Sequence, residues 1–357
     1  MLSKGKQGRG RPRQLTYERY AALLLLQYYS PSLTTLRSIQ RATKFRKVRK
    51  IIGCPRVSLG ALSEASKVFD PEILRELINE AAGQLGESPP LEDLPDPLEG
   101  LTAVDGTVLR ALPRMAWATW LRKQNGVKAH VAFNVVTGAP EDAIVTNGAG
   151  SERGAFREML KPGRLYVLDC GYTEYRLIDE IVEAGSSCIM RLRDDACFEV
   201  LEERVVTEKA RDAGVQRDLE VRLGKDKTRI ERRMHVVEIV LPEGDTSRRR
   251  ERVLLATDRL DLTAELVAFG YGKRWQVELF FRWFKCILGC EHLLSESRNG
   301  LTIQIYIAIL AGLLVRLWTG RKPNKETWEV IQHYLTGWAE EDEVEEHLES
   351  LKFDTRS

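Results

Sequence analysis

The chain has 357 residues, of which 43% are hydrophobic and 30% are charged, and its formal net charge is only +2. This length and composition exclude an intrinsically disordered protein and allow two or three folded units with sizeable cores. The longest apolar stretch, 305–315, is eleven residues long, well short of the about 20 that span a membrane. We therefore expect a core helix there and no membrane association.

The charge is distributed unevenly along the chain. Residues 1–60 carry fourteen Lys and Arg against one acid, a net of +13, whereas residues 340–357 carry eight acids against two cations, a net of −6. This asymmetry predicts a DNA-facing amino terminus and an acidic, helical carboxy-terminal segment over 321–357. The six cysteines have no regular disulfide spacing and favour a reducing cytoplasm. A zinc site at Cys286, Cys290 and His292 is disfavoured because it lacks a fourth ligand.

Residues 1–14 are basic, rich in glycine and without apolar anchors, which predicts a disordered tail. Arg9 and Arg11 stand in an Arg-Gly-Arg-Pro sequence typical of an AT-hook, in which the arginines follow the narrow minor groove of A·T-rich DNA. The alternative is a generic basic tail that binds phosphates without sequence preference.

Residues 15–86 have helical spacing and predict a small DNA-binding domain. Helices are expected over 15–29, from Ser32, and from Asp70-Pro-Glu, where a cap precedes a proline at the first helical position. The basic block 44–50 lies between them, and we expect Lys47 and Lys50 to contact DNA. The pattern does not single out a recognition helix. A proline-rich stretch, 87–99, predicts a linker.

Residues 100–320 alternate between strand and helix patterns, which predicts an α/β domain with a mixed sheet. Strands are expected over 103–105, 115–121, 127–136, 165–169 and 187–192, and helices from Ser151 and Thr173. Residues 194–255 interrupt this alternation with many charges and short β-like runs.

Two apolar runs end in aspartate. Asp105 closes Leu-Thr-Ala-Val-Asp-Gly-Thr, and Asp169 closes Leu-Tyr-Val-Leu-Asp-Cys-Gly-Tyr. Each pattern predicts a strand followed by a turn. An aspartate in this position is commonly a turn former or a helix cap, so neither residue indicates a catalytic role by itself.

The sequence YGKRWQVELFFRWFK contains Tyr271, Arg274, Glu278 and Lys285. At about 100° per residue these four fall within an arc of about 60° on one helix, so a polar stripe interrupts an apolar surface. The simple alternative is an ordinary ion pair between residues four apart, which contributes only a few tenths of a kcal/mol.

Together, the D-G-T, D-x-G-Y and Y-x2-R-x3-E-x6-K blocks resemble those of bacterial insertion-sequence DDE transposases of family four, over about 100–320. The resemblance implies an RNase H-like mixed sheet with flanking helices, a β-rich insertion at 194–255, and a preceding helical DNA-binding domain. It implies that Asp105, Asp169 and Glu278 are catalytic and bind two Mg2+ ions, for which Mn2+ can substitute. The residues that it assigns to DNA contact or to support of the site are Tyr271, Arg274, Lys285 and, for support, Tyr172.

The implied activity is binding of the element's terminal repeats, metal-dependent cleavage of the DNA strand, and strand transfer into target DNA by a synaptic homodimer. We expect a cytoplasmic, nucleoid-associated enzyme. Two alternatives remain open at this point: a DNA-binding regulator that has lost catalysis, and a different RNase H-like nuclease that recognises DNA by its structure.

Overall fold

The computed structural model describes residues 15–86, 94–110, 115–121, 124–226, 229–240, 252–288, 293–321 and 325–353. Arg9, Arg11 and most of the predicted linker lie outside these ranges. The helices within them are α1 (Tyr17–Tyr29), α2 (Leu36–Ala42), α3 (Arg46–Ile52), α4 (Leu59–Val68), α5 (Glu72–Gly86), α6 (Glu152–Met159), α7 (Tyr175–Glu183), α8 (Glu208–Asp212), α9 (Ala264–Gly272), α10 (Trp275–Leu288), α11 (Arg298–Thr319), α12 (Lys325–Thr336) and α13 (Glu341–Phe353).

One large mixed sheet organises the molecule. Its strands are β1 (Leu101–Arg110), β2 (Thr119–Leu121), β3 (Gln124–Asn134), β4 (Ala139–Asn147), β5 (Leu165–Leu168), β6 (Ser187–Arg191), β7 (Phe198–Arg204), β8 (Val215–Leu223), β9 (Arg233–Val240) and β10 (Arg252–Thr257). The order is β2-β3-β1-β5-β6-β10-β9-β8-β7, with β4 paired to the free side of β3. Strands β1, β5 and β6 are parallel and the other pairings are antiparallel, which confirms the predicted mixed α/β class.

Several local predictions need correction. The predicted strand 115–121 is a single 3-10 turn, Ala116–Ala118, followed by the short β2, and β4 had no counterpart among the predicted strands. The second helix begins at Leu36, because Thr35 supplies the cap and accepts a hydrogen bond from the Ser38 amide at 3.0 Å. The charged stretch after β6 forms β7, β8 and β9, which with β10 extend the main sheet.

Helix α11 lies at the centre of the core. Ser297 caps its start and Gly320, with φ +69°, ends it. It is the one helix among the described residues that is long and apolar enough to cross a membrane, but 89% of that apolar window is buried inside the protein. The sequence prediction of a core helix over 305–315 is therefore confirmed.

The amino-terminal helices share this core. The hydroxyl groups of Tyr28 and Tyr29 in α1 donate to backbone carbonyls of α11, at 3.0 Å and 2.8 Å. In α5, Arg75 binds Asp142 of β4 through two hydrogen bonds of 2.7 and 3.0 Å, and the Asp142 side chain is only 3% exposed. Helices α1, α4 and α5 therefore pack directly on α11, with α5 also on β4, whereas α2 and α3 pack on α1.

Candidate active site

The carboxyl ends of the parallel strands bring three charged residues into one row. The register pairs Val104 of β1 with Leu168 of β5, and Leu168 with Met190 of β6. The next residues along the three strands are Asp105, Asp169 and Arg191. Because parallel strands lie ≈ 4.8 Å apart, this register places the two aspartates side by side.

Asp105 lies within β1 and not at its end. Strand β1 continues to Arg110, and Asp105 and Gly106 pair with Val131 and His130 of β3, so the predicted Asp-Gly turn is wrong. The Asp105 carboxylate instead accepts a hydrogen bond from the Gly106 amide at 2.7 Å. A Cβ on this glycine would lie 2.7 Å from Lys128 Cε, so a larger residue here would displace the end of the lysine side chain.

Asp169 follows β5 directly, as predicted. It caps a single 3-10 turn, Cys170–Tyr172, and accepts from the Cys170 amide at 2.8 Å. The Tyr271 hydroxyl donates to the same carboxylate at 3.3 Å, and Arg191 lies 3.9 Å away. The cap holds the side chain at the edge of the sheet, where it remains about one-third exposed.

The stretch with the polar stripe forms two helices and not one, so the prediction of one continuous helix is wrong. Tyr271 lies in the last turn of α9, Arg274 in a short turn, and Glu278 in the first turn of α10. The Arg274 amide donates to the Tyr271 carbonyl at 3.0 Å, and the Val277 amide to the Arg274 carbonyl at 3.1 Å. These three-residue bonds tighten the junction and direct the three polar side chains of the junction towards the aspartates.

Arg274 connects the helix junction to the sheet. Its guanidinium lies 2.8 Å from Glu278 and 3.7 Å from Asp105. The Arg274 side chain is only 16% exposed, and its Nε is buried without a hydrogen-bond partner. An ordinary surface ion pair between residues four apart does not have these properties. That alternative therefore does not describe the contact between Arg274 and Glu278.

Negative charge is concentrated around Asp105. Burial raises the pKa of Asp105 to about 6, the Gly106 amide and Arg274 oppose this shift, and the carboxylates of Glu278 and Glu152 add to it. A carboxylate that is costly to ionise among other carboxylates is a good ligand for a cation, because the cation removes that cost.

The predicted metal ligands surround Arg274. Among the described residues, no three His, Cys, Asp or Glu side chains are close enough together to hold a metal ion as they stand. The guanidinium lies between Asp105 and Glu278 and neutralises them, so a cation already occupies the position that the charges favour. Oxygen ligands of this kind suit Mg2+, and the residues fit a divalent ion once the arginine turns away.

Tyr172 is 1% exposed, and its hydroxyl has no hydrogen-bond partner. Burial raises the pKa of Tyr172 well above its ordinary value, and the charges of Asp105, Glu152 and Asp169 add to this effect. The phenol is therefore buried close enough to these carboxylates for their charges to act on it.

Two charged residues near the aspartates had no counterpart among the sequence-predicted site residues. Arg191 ends β6 beside Asp169, and Glu152 in the first turn of α6 forms an ion pair with Lys128 of β3. The sequence patterns around these two residues are weak indicators of a site, because an arginine at a strand end and an acid after a serine cap are both common. Lys128 also acts on His130: burial lowers the pKa of His130 to about 4, and the lysine charge adds to the effect.

The other residues that were predicted to contact DNA, and that the structure describes, lie at the surface. Lys285 is exposed two turns after Glu278, and a separation of seven residues puts both on one face of α10. Lys47 and Lys50 are exposed on α3, a helix without buried residues. Residues 41–60, which contain α3, include seven cations and no acid.

Comparison of this chain with known proteins gives matches to transposases. The family profile described as transposase DDE domain matches residues 96–314. A probable transposase for insertion sequence element IS5377 of Geobacillus stearothermophilus is 26% identical over 282 residues, which cover 78% of this chain and 72% of that protein. A putative transposase for insertion sequence element IS4SA of Synechocystis is 24% identical, over 73% of this chain and 72% of that protein.

A putative transposase of Sinorhizobium fredii is 26% identical over 61% of this chain and 60% of its own length. Among solved structures, a piggyBac transposase in a synaptic complex with hairpin DNA aligns with 96% of this chain and 79% of that chain, at 10% identity and a TM-score of 0.47.

Proposed function

The chain belongs to the transposase DDE family and is a transposase that cleaves and transfers DNA strands, and from this premise we propose that Asp105, Asp169 and Glu278 are its catalytic carboxylates. The observation that carries the proposal is the register of β1 and β5, which sets the two aspartates side by side. Glu278 joins them through Arg274, which contacts both Glu278 and Asp105.

We further propose that β1 and β3 to β6, with α6, α7 and α10, form an RNase H-like unit, and that the chain belongs to family four of the insertion-sequence transposases. Three antiparallel strands in the order β4-β3-β1 are followed by the parallel β5 and β6, which supports the first proposal. The Y-R-E-K spacing and its contacts with the aspartates support the second.

DDE transposases depend on divalent metal ions, and we propose two Mg2+ ions, replaceable by Mn2+, which Asp105, Asp169 and Glu278 would hold. When bound, such a pair stabilises the attacking and leaving oxygens of an in-line displacement at phosphorus. Arg274, which contacts Asp105 and Glu278 in the metal-free protein, would be displaced by bound metal, and its freed bidentate guanidinium is suited to a DNA phosphate. Tyr271 orients Asp169, and Lys285 binds the DNA backbone further along α10.

The DNA partners follow from the charge distribution. We propose that α3 and the basic segment before Leu15 bind the terminal repeats, with Lys47 and Lys50 on the exposed face of α3 and Arg9 and Arg11 in the minor groove. Two ends must be joined in one complex, so we propose a synaptic homodimer. The enzyme would act in the cytoplasm, on DNA of the nucleoid.

The test is an end-cleavage assay. Labelled DNA carrying the element's own terminal repeat is incubated with the wild-type protein and with Glu278→Gln, in Mg2+, in Mn2+ and in EDTA. Glu329→Gln is a matched control, because Glu329 is also the acid of an i,i+4 pair, with Lys325 at 3.3 Å. We expect the wild type and the control to cleave only with metal and Glu278→Gln to bind without cleaving.

Two results would contradict the proposal. Binding without cleavage by the wild type would favour the regulator. Equal cleavage of branched or hybrid DNA that lacks the terminal repeat would favour a structure-specific nuclease.

A further inference from the structure

An ion pair connects the sheet to α6 next to the segments that carry the two aspartates. Lys128 comes from β3 and Glu152 from the first turn of α6, and the amine and the carboxylate are in direct contact. Their side chains are only 13% and 29% exposed. The start of α6, where Glu152 lies, is capped by Ser151, which accepts a hydrogen bond from the Gly154 amide at 3.1 Å.

Each half of the pair touches one of the segments that carry the aspartates. A Cβ on Gly106 would lie 2.7 Å from Lys128 Cε, and a Cβ on Gly171 would lie 2.5 Å from Glu152 Oε2. Gly106 is the residue whose amide binds Asp105. Gly171 belongs to the turn that Asp169 caps. The pair therefore bridges the two segments from the α6 side of the sheet, through gaps that the two glycines leave open.

A separate observation places Glu152 at the same centre. The Tyr172 hydroxyl is buried without a partner, and the charges that act on it are those of Asp105, Glu152 and Asp169. All three carboxylates raise the pKa of this one phenol, against the opposing charge of Arg274. Glu152 is part of the electrostatic environment of the aspartates, in addition to being an end of an ion pair.

We propose that Lys128 and Glu152 form a positioning pair that sets the separation and orientation of Asp105 and Asp169 for divalent-metal binding. Neither residue is assigned contact with the metal or with DNA. The inference rests on the proposed catalytic role of the two aspartates. Groups that orient metal ligands typically account for 10–100-fold in metal affinity, so the pair should control the metal requirement of the enzyme.

An ordinary structural ion pair would affect stability and leave the metal requirement unchanged. The chain offers a matched control on the same helix: Arg157 of α6 pairs with Glu180 of α7 at 2.5 Å, and its carboxylate is exposed to a similar extent, 27% against 29%. Glu180→Gln therefore removes a similarly exposed carboxylate that pairs with the same helix, α6, and leaves the contacts with Gly106 and Gly171 unchanged.

The experiment compares wild type, Glu152→Gln, Lys128→Met, their double variant and Glu180→Gln. Mn2+ binding to the DNA-free protein is measured by calorimetry, end cleavage is titrated with Mg2+, and thermal unfolding and end binding are recorded for each. We expect both single variants to weaken Mn2+ binding and raise the Mg2+ requirement about tenfold with unchanged end binding. The double variant should bind Mn2+ no more weakly, and require no more Mg2+, than either single variant. Glu180→Gln should match the wild type in both measurements.

Gly171→Ala keeps the inference testable should a charge variant fail to fold. The methyl group displaces the Glu152 carboxylate, so it should raise the Mg2+ requirement in the wild type and have no further effect in a Glu152→Ala background. Unchanged Mn2+ affinity in Glu152→Gln and Gly171→Ala, beside a wild type that still cleaves through Glu278, would overturn the positioning role and leave the proposed function intact. A wild type that does not cleave would instead overturn the proposed function.

Discussion

The ionised Asp105 carboxylate should destabilise the metal-free protein, and its removal should therefore stabilise the fold at neutral pH. A pKa raised from 3.8 to about 6 corresponds to about 3 kcal/mol at about 1.4 kcal/mol per pH unit. This is an upper value, because the side chain is 25% exposed and solvent screens the charge. Burial and the nearby Glu278 and Glu152 raise the pKa, against the opposing effect of Arg274.

The sign of the effect follows from proton linkage. The folded state holds the Asp105 proton more tightly than the unfolded state, so the stability that this group contributes is complete below pH 3.8 and is lost as pH rises through about 6. The neutral amide of Asp105→Asn has no such dependence. We expect the free energy of unfolding of the variant, relative to wild type, to rise by up to about 3 kcal/mol between pH 4 and pH 7.

The assay is urea unfolding in EDTA, followed by tryptophan fluorescence, at half-unit steps from pH 4 to pH 7.5. Comparison of the two proteins at each pH cancels all other titrations. Mg2+ should then stabilise the wild type at pH 7.5 and leave the variant unchanged, since a ligand stabilises only the protein that binds it. A stability difference that does not change with pH would refute the reasoning.

Three further predictions follow from other contacts. Tyr271→Phe removes the 3.3 Å hydrogen bond to Asp169, worth about 0.5–1.5 kcal/mol, and should slow single-turnover cleavage about 2- to 12-fold at saturating Mg2+. Changing both Lys47 and Lys50 to alanine should weaken end binding and lower the slope of log affinity against log salt by about 2, with cleavage unchanged at saturating protein. Gly312→Ala puts a methyl group 2.6 Å from a tryptophan ring of α10 and should cost about 1–3 kcal/mol of unfolding free energy.

The local backbone around the candidate site was predicted correctly at Asp169 and wrongly at Asp105. Asp169 lies after a buried strand, as the pattern indicated. Asp105 was expected in a turn because Asp-Gly commonly forms one. In the fold, Gly106 serves a different purpose: it admits Lys128 from the neighbouring strand, a contact between distant positions that local propensity cannot show.

The break between α9 and α10 could not be predicted from the sequence for a similar reason. No proline marks it, and the spacing fits one helix as well as two. The two helices have different partners in the sheet: α9 packs on β5, β6 and β8 to β10, whereas α10 packs on β1 and β3. Gly270 permits the close approach of α9, since a Cβ there would lie 2.9 Å from the Ile189 side chain of β6. Tertiary packing decided the helix boundary.

The shared core of α1, α5 and α11 limits how this protein can be re-engineered. Tyr28 and Tyr29 bond to backbone carbonyls inside α11, and Arg75 neutralises an otherwise buried carboxylate on β4. A chimaera that exchanged the amino-terminal helices for those of a relative, in order to redirect the enzyme to new ends, would leave these groups unmatched. Reprogramming should begin with the exposed surface of α3, which contributes no buried side chain, and keep the rest of the helical layer.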